Sequence, residues 1–182
     1  MRLFFALPAP TELRADLARL LAVVALPGRP APPEQWHVTL AFAPAWRPAA
    51  ASAGQACEGM LAELVAACAR LPATLDPVAV TGFGAFPTAR AARVVWLGFD
   101  AAPLQALAGA TGVLLGDVSG QRFRAHLTLT RLPSPAPAGV TLDALAAGRV
   151  PAVVVFEELV LFRSHLSAHG ARHEPLWRAP VR

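Results

Sequence analysis

His37-Val38-Thr39-Leu40 is repeated later in the chain as His126-Leu127-Thr128-Leu129. In an extended strand, alternate side chains point to opposite faces, so the histidine and the threonine of each copy share one face. The apolar residues of each copy point to the other face, which the pattern predicts to be buried. Two such strands would line a groove with two imidazoles and two hydroxyls.

The composition is that of an ordinary folded chain, with 182 residues, a net charge of +4 and a hydrophobic fraction of 55%. We expect residues 1–182 to form a single bilobed domain, because this length is usual for one domain. No apolar run reaches the roughly 18 residues that a membrane-spanning helix requires, and the N-terminal residues do not resemble a secretory signal. We therefore expect a cytoplasmic protein that is a monomer and has no membrane partner.

The two cysteines, Cys57 and Cys68, fall in one predicted helix and lie too far apart along it to form a disulfide. They are expected to be small core residues of a reduced protein.

Hydrophobic periodicity and turn residues predict alternating strands and helices. Strands are predicted at Arg2–Leu7, Trp36–Phe42, Thr74–Phe83, Arg93–Phe99, Arg122–Leu132, Val150–Phe162 and Pro175–Arg178. Helices are predicted at Leu13–Ala25, Ser52–Leu71, Pro103–Leu115 and Thr141–Ala147, with Thr11 and Thr141 as N-caps. A turn is predicted at Gly84–Thr88, and a stiff connector at Pro133, Pro135 and Pro137.

This order favours an α+β fold over a parallel barrel or a doubly wound sheet, because the elements are too few and too unevenly connected for either. The two motifs are 126 − 37 = 89 residues apart, close to half the chain. We expect a bilobed molecule with two pseudo-symmetric, mostly antiparallel sheets flanked by helices. Each half would supply one motif strand to a central groove that holds both H-x-T motifs.

The motif residues suit acid–base chemistry on a phosphate. A neutral imidazole can take a proton from an attacking oxygen, and an imidazolium can give one to a leaving oxygen. Phosphate transfer also needs donors that neutralise the equatorial oxygens. We predict that His37 and His126 are the catalytic pair, and that Thr39 and Thr128 bind the phosphate.

Arg131 follows His126 by five residues and would lie on the opposite face in strict alternation. A bulge or the end of the strand could turn its guanidinium toward the phosphate, which would make it a third substrate contact. The alternative is an ordinary solvated arginine.

A metal site is the main rival explanation for paired histidines. Zinc sites usually add thiolate or carboxylate ligands, and neither motif contains one. His165, His169 and His173 recur at helical spacing, but Gly170 and Pro175 argue against a helix there. We therefore predict no metal and no cofactor, and we assign these three histidines to a solvated loop that leads into the last strand.

The sequence around both motifs resembles the bacterial and archaeal RNA 2′,3′-cyclic phosphodiesterases of the two-histidine (2H) phosphoesterase superfamily, also called the 2′-5′ RNA ligase family. The similar stretches are Met1–Ala6, Pro33–Leu40, Gly84–Pro87 with Val94–Leu97, Phe123–Arg131 and Leu159–Ser164. Two stretches depart from the family pattern. Ala41-Phe42-Ala43-Pro44 replaces the usual Lys-Phe-Leu-Gly, and Gly170-Ala-Arg-His173 replaces a frequent Gly-x-x-Tyr.

The resemblance implies a V-shaped groove and metal-independent hydrolysis of RNA 2′,3′-cyclic phosphate ends to a 2′-phosphate. It also implies that His37 is the acid on the departing 3′ oxygen and that His126 is the base on water. Two alternatives remain open, namely 2′-5′ RNA ligation by the reverse reaction and a non-catalytic protein that binds RNA ends. A small cyclic nucleotide could replace RNA as the substrate. Trp36, Phe42 or Phe86 could stack on the terminal base, or could simply pack in the core.

Overall fold

The computed structural model describes residues 1–47, 57–72, 74–116, 122–167 and 170–181. The strands within these ranges are β1 (Leu3–Pro8), β2 (Arg29–Pro30), β3 (His37–Ala43), β4 (Val78–Phe86), β5 (Ala92–Phe99), β6 (His126–Ala136), β7 (Val153–Val154), β8 (Glu158–Ser167) and β9 (Gly170–Pro180). The α-helices are α1 (Thr11–Leu21), α2 (Cys57–Cys68), α3 (Gln105–Leu115) and α4 (Gly139–Ala146). A short 3-10 helix at Pro33–Gln35 precedes β3.

The strands pair in the order β7-β4-β5-β6-β3-β1-β8-β9, and β2 lies beside β6. Every pairing is antiparallel. The motif strands β3 and β6 meet at the centre through the pair Val38 and Leu127. The α+β class and the antiparallel pairing are thus confirmed. The two expected sheets are the two halves of one continuous sheet.

The apolar residues of the motifs face a core that both halves of the chain build. Val38, Leu127 and Leu129 are each 0% exposed. Helix α3, which comes from the second half, packs on β3 and β1, and α4 packs on β4. Helix α2 contacts α3 and β9. Because the helices cover one side of the sheet at its centre, the side that carries the histidines remains available for a site.

Both motif strands contain a β-bulge at the last residue of the motif. In β6, Thr128 pairs with Trp96 and Thr130 pairs with Val95. Leu129 lies between them and has no partner in β5. Alternation shifts by one residue, and Arg131 returns to the face that carries His126. In β3, Leu40 is the extra residue against β1, and the shift brings Phe42 to the same face.

The predicted N-caps are wrong. Helix α1 begins at Thr11 and α4 begins at Gly139, so Thr11 and Thr141 both lie within helices. Pro10 and Ala138 occupy the cap positions without a side-chain hydrogen bond. Pro10 is the last extended residue, with ψ of 158°, and Thr11 is therefore the first helical residue rather than the cap that the threonine pattern suggests.

Several predicted strand limits also differ from the structure. Strand β6 continues through Pro133 and Pro135, so the predicted connector is wrong over these residues. Among the described residues, β2 and β3 pair with β6 only up to Arg131, so beyond it the side of β6 away from β5 has no partner strand, and proline is tolerated on such a side. The predicted turn starts too early, since Gly84 still belongs to β4. The long strand predicted at Val150–Phe162 is divided into β7 and β8.

Cys68 is a core residue, as expected. It is buried, its thiol donates to the carbonyl oxygen of Leu64 at 3.2 Å, and burial raises its pKa to about 11. The side chain of Cys57 and the predicted start of the helix at Ser52 lie outside the described residues.

Candidate active site

The structure brings the four polar motif side chains to one face of the sheet. Val38 pairs with Leu127 in antiparallel register. Extending this register by one residue in each direction places His37 opposite Thr128, and Thr39 opposite His126. All four are half-buried, whereas the apolar pair between them is fully buried. The four polar side chains therefore lie on the same face of the two central strands.

The two histidines are held by equivalent hydrogen bonds. The ring Nδ1 of His37 lies 2.6 Å from the carbonyl oxygen of Gln35, and that of His126 lies 2.8 Å from the carbonyl oxygen of Arg124. A carbonyl oxygen can only accept, so each Nδ1 carries the hydrogen and donates. In the neutral ring, Nε2 then has the free lone pair. Both imidazoles are fixed in the tautomer that leaves Nε2 as the nitrogen for proton exchange.

Both histidines favour the neutral form in the free protein. Burial lowers the pKa of His37 to about 4, against the opposing effect of its bond to Gln35, and the charges of His173, Arg131 and His126 lower it further. Burial also lowers the pKa of His126, again against its own backbone bond, and Arg131 and Arg124 add to the effect.

Arg131 reaches the same region. Its positive charge lowers the pKa of both motif histidines and of His173. The bulge at Leu129 explains this position, because without it the side chain would point to the core side. Arg131 shares the face of the histidines and is exposed, so its contact with a phosphate stays a prediction.

A third histidine, His173, lies at the site, where the sequence does not predict it. Its ring centroid is 5.7 Å from that of His37 and 4.8 Å from that of Phe4. Its Nδ1 is buried and has no hydrogen-bond partner, and burial and Arg131 lower its pKa. The signal in the sequence is its place in Gly170-Ala-Arg-His173, where the family often has tyrosine.

The predicted loop through the late histidines is wrong. His165 lies in β8 and His173 in β9, which pair as a hairpin, and His169 is outside the described residues. His165 Nε2 is 2.7 Å from a carboxylate oxygen of Glu174. In the part of the chain that the structure describes, no group of three or more His, Cys, Asp or Glu side chains could hold a metal ion.

Aromatic rings form the wall beside His126. Phe86 packs edge-on against His126 at 5.0 Å and contacts Trp96 at 5.0 Å. The indole of Trp96 lies so close to Gly84 and Gly98 that a Cβ at either position would approach it within 2.3 to 2.7 Å. Glycine at these two positions therefore makes room for this wall.

The other two aromatic residues named from the sequence differ in accessibility. Trp36 is 3% exposed, and its Nε1 donates to the carbonyl oxygen of Ala31, so it is a core residue. Phe42 is 39% exposed, with the guanidinium of Arg2 at 5.0 Å from its ring centroid. Phe86 and Phe42 thus remain the candidates for base stacking.

A cavity of about 510 Å³ opens beside His37, on the side away from the aromatic wall. His37 and His173 both line it, and it extends toward α1 and the edge strand β9.

Among the described helices, none is long and apolar enough to cross a membrane.

Comparisons of the sequence and of the structure with known proteins point to the same family. The family model described as LigT like Phosphoesterase matches residues 7–96, which include the first motif. No curated protein matches the chain. The crystal structure of TT0787 of Thermus thermophilus is 28% identical with a TM-score of 0.68, and covers 100% of this chain and 98% of that chain.

Two crystal structures of E. coli LigT are similarly related. The complex with NADP⁺ is 28% identical with a TM-score of 0.67, and the complex with 3′-AMP is 25% identical with a TM-score of 0.67. Each covers 99% of this chain and 97% of that chain, and thus spans both motifs. The family model over residues 7–96 and the crystal structures over the whole chain both support the LigT-like phosphoesterases of the two-histidine superfamily as the family that this chain resembles.

Proposed function

We propose that this protein hydrolyses the 2′,3′-cyclic phosphate end of RNA to a 2′-phosphate without a metal ion, with His37 and His126 as the acid–base pair. The proposal is carried by one observation. Both imidazoles share one face of the sheet, and each has its Nδ1 fixed by a backbone carbonyl, which leaves two Nε2 atoms for proton transfer.

In this reaction the cyclic phosphate lies between the two rings. Nε2 of His126 takes a proton from water, the water oxygen attacks phosphorus, and the bond from phosphorus to the 3′ oxygen breaks. The imidazolium of His37 gives its proton to that oxygen, and proton exchange with solvent restores both rings. The hydroxyls of Thr39 and Thr128 donate to the phosphate oxygens, and Arg131 balances the charge that develops on them.

The lowered pKa of His37 is compatible with its role as the acid once substrate binds. A cyclic phosphodiester is an anion, and an anion next to an imidazole favours the charged form of the ring. We expect the bound phosphate to oppose the burial that keeps His37 neutral in the free protein. The proton that His37 donates is therefore acquired on substrate binding.

The relatives support a nucleotide as the ligand. Crystal structures of E. coli LigT are described as complexes with NADP⁺, 3′-AMP and ATP. The aromatic wall of Phe86 and Trp96 beside His126 suits a base, because stacking on aromatic rings accepts any base.

The test is an oligonucleotide that ends in a 2′,3′-cyclic phosphate, incubated with the purified protein in EDTA. We expect a 2′-phosphate product, identified by phosphorus NMR, at the same rate with and without EDTA. An oligonucleotide with a 3′-phosphate end is the control and should not react.

Three outcomes would contradict the proposal. Loss of activity in EDTA with recovery on zinc would overturn the metal-free mechanism. If the protein joined a 5′-hydroxyl oligonucleotide to the cyclic phosphate end faster than it hydrolysed that end, it would be a 2′-5′ ligase. Tight binding of the cyclic end without any reaction would indicate an RNA-end binding protein.

A further inference from the structure

The cavity beside His37 contains more positive charge than the proposed chemistry uses. Three arginines line it, namely Arg14 of α1 and Arg172 and Arg178 of β9. Arg178 contacts both carboxylate oxygens of Glu158 at 3.0 Å, so their charges cancel. Arg14 and Arg172 have no carboxylate within ion-pair distance among the described residues.

Arg14 is the stronger of these two cations. It is half-buried, and its Nε is buried without a hydrogen-bond partner. Arg172 is exposed, and its charge lowers the pKa of Glu174. The carboxylate of Glu174 therefore balances part of the charge of Arg172. Among the described residues that line the cavity, the carboxylates are Glu158, which pairs with Arg178, and Glu34, which is exposed. A half-buried guanidinium that faces a cavity without an acid partner favours an anionic ligand.

The cavity is built onto the candidate active site. The side chain of Gln35, two residues before His37, donates to the carbonyl oxygen of Ala171 in β9 at 3.1 Å. His173, the second residue after Ala171, packs against His37. These contacts join β9, which carries Arg172, to the segment that carries His37. The volume of about 510 Å³ is within the range of small-molecule sites.

We propose that this cavity binds the 5′-phosphate of the terminal nucleotide, with Arg14 as the main contact and Arg172 as the second. The inference rests on the proposed function, because it takes the reacting phosphate to lie between His37 and His126. One ribose separates the two phosphates of a nucleotide, and the cavity begins at His37 itself. The protein therefore prefers RNA, or a 5′-phosphorylated nucleotide, to a nucleoside cyclic phosphate.

The opposite side of the site is the competing location. There the guanidinium of Arg124 lies 5.6 Å from the ring centroid of Phe86, next to the aromatic wall. A cation over a ring extends a stacking surface, and rings fit the base better than a phosphate. Arg124 is therefore the comparison residue for the test.

The test compares binding of adenosine 3′,5′-bisphosphate and adenosine 3′-monophosphate by calorimetry at constant ionic strength, since these ligands differ only in the 5′-phosphate. We expect the wild-type protein to bind the bisphosphate about 10- to 100-fold more tightly, as for a charge-assisted contact. Arg14→Ala should reduce this ratio to about threefold or less, and Arg14→Lys should retain part of it.

Arg19→Ala is the matched control. Arg19 lies on the same helix, its side chain is 73% exposed, and it pairs with Asp16. This variant should keep the wild-type ratio. Thermal unfolding of all variants shows whether they remain folded, and Arg14→Lys serves if Arg14→Ala does not fold.

A ratio near one in the wild-type protein, a ratio that survives in Arg14→Ala, or a ratio lost only in Arg124→Ala would overturn the inference. Binding does not require turnover, so the two proposals fail separately. Arg14-dependent preference without hydrolysis would leave the phosphate site in place and overturn the proposed function. Hydrolysis without a preference for the bisphosphate would support the proposed function and overturn the phosphate site.

Discussion

His37 and His126 have the same local geometry and similar electrostatics. Burial and nearby arginines lower both pKa values, so both rings are neutral at pH 7 in the free protein. The reaction needs one protonated and one neutral ring, a combination that is most abundant between the two pKa values.

We expect kcat/KM for a nucleoside 2′,3′-cyclic phosphate to be highest below pH 6.5, the ordinary pKa of histidine. Above the higher of the two lowered pKa values, kcat/KM should fall by about tenfold per pH unit, because the protonated partner disappears. A kcat/KM that is flat or rises between about pH 6 and 8 would contradict the lowered pKa values.

His173 should act on the chemistry through His37. His173→Phe keeps an aromatic ring against Phe4 but removes the charge that lowers the pKa of His37. We expect the pKa of His37, measured by NMR titration, to rise. His165→Phe is the control, because His165 pairs with Glu174 and does not contact His37. An unchanged or lower pKa in His173→Phe would contradict this role.

At the scale of elements, strand alternation is sufficient to predict which motif side chains share a face. His37 and Thr39 lie on the same side as His126 and Thr128 because one face of both central strands is buried. The position of Arg131 depends on a bulge, which sequence patterning allows but does not require. A bulge forms through pairing with another strand, and a single strand's sequence does not contain that information.

The position of His173 could not be derived from its own segment. It reaches His37 because β9 pairs with β8 and β8 pairs with β1, so that residues far apart in sequence become neighbours. The glycine and proline around it predict a loop, although Gly170 begins β9 with φ of 124°. Only the departure from the family's tyrosine marks this position.

Arg131 tests the role of the bulge in β6. Arg131→Ala should lower kcat/KM for the cyclic phosphate by about 10- to 100-fold, because a charged contact to the phosphate is lost. Arg93→Ala is the control, since Arg93 is exposed on the neighbouring β5 and contacts the carbonyl oxygen of Pro133 at 3.5 Å. Equal effects of the two substitutions would contradict a specific contact by Arg131.

At the scale of the molecule, the two halves depend on each other. Helix α3 of the second half packs on β3 and β1 of the first, and β8 and β9 return to pair beside β1. We expect one cooperative unfolding transition in urea, with coincident curves from far-UV circular dichroism and tryptophan fluorescence. Trp36 and Trp96 report on different halves, so two separate transitions would contradict a single domain.

This interdependence also defines the site, because each half supplies one of the two histidines. In the proposed mechanism both act in the same bond-breaking step, so removing either ring should remove most of what the pair contributes. The threonines and Arg131 would still bind the phosphate in such variants.

The most direct test is the single-turnover rate of RNA cyclic phosphate hydrolysis in wild type, His37→Ala, His126→Ala and the double variant. We expect each single substitution to lower the rate between about 100-fold and 10,000-fold, and the double variant to be little slower than the slower single variant. A rate within tenfold of wild type in either single variant would contradict the two-histidine mechanism.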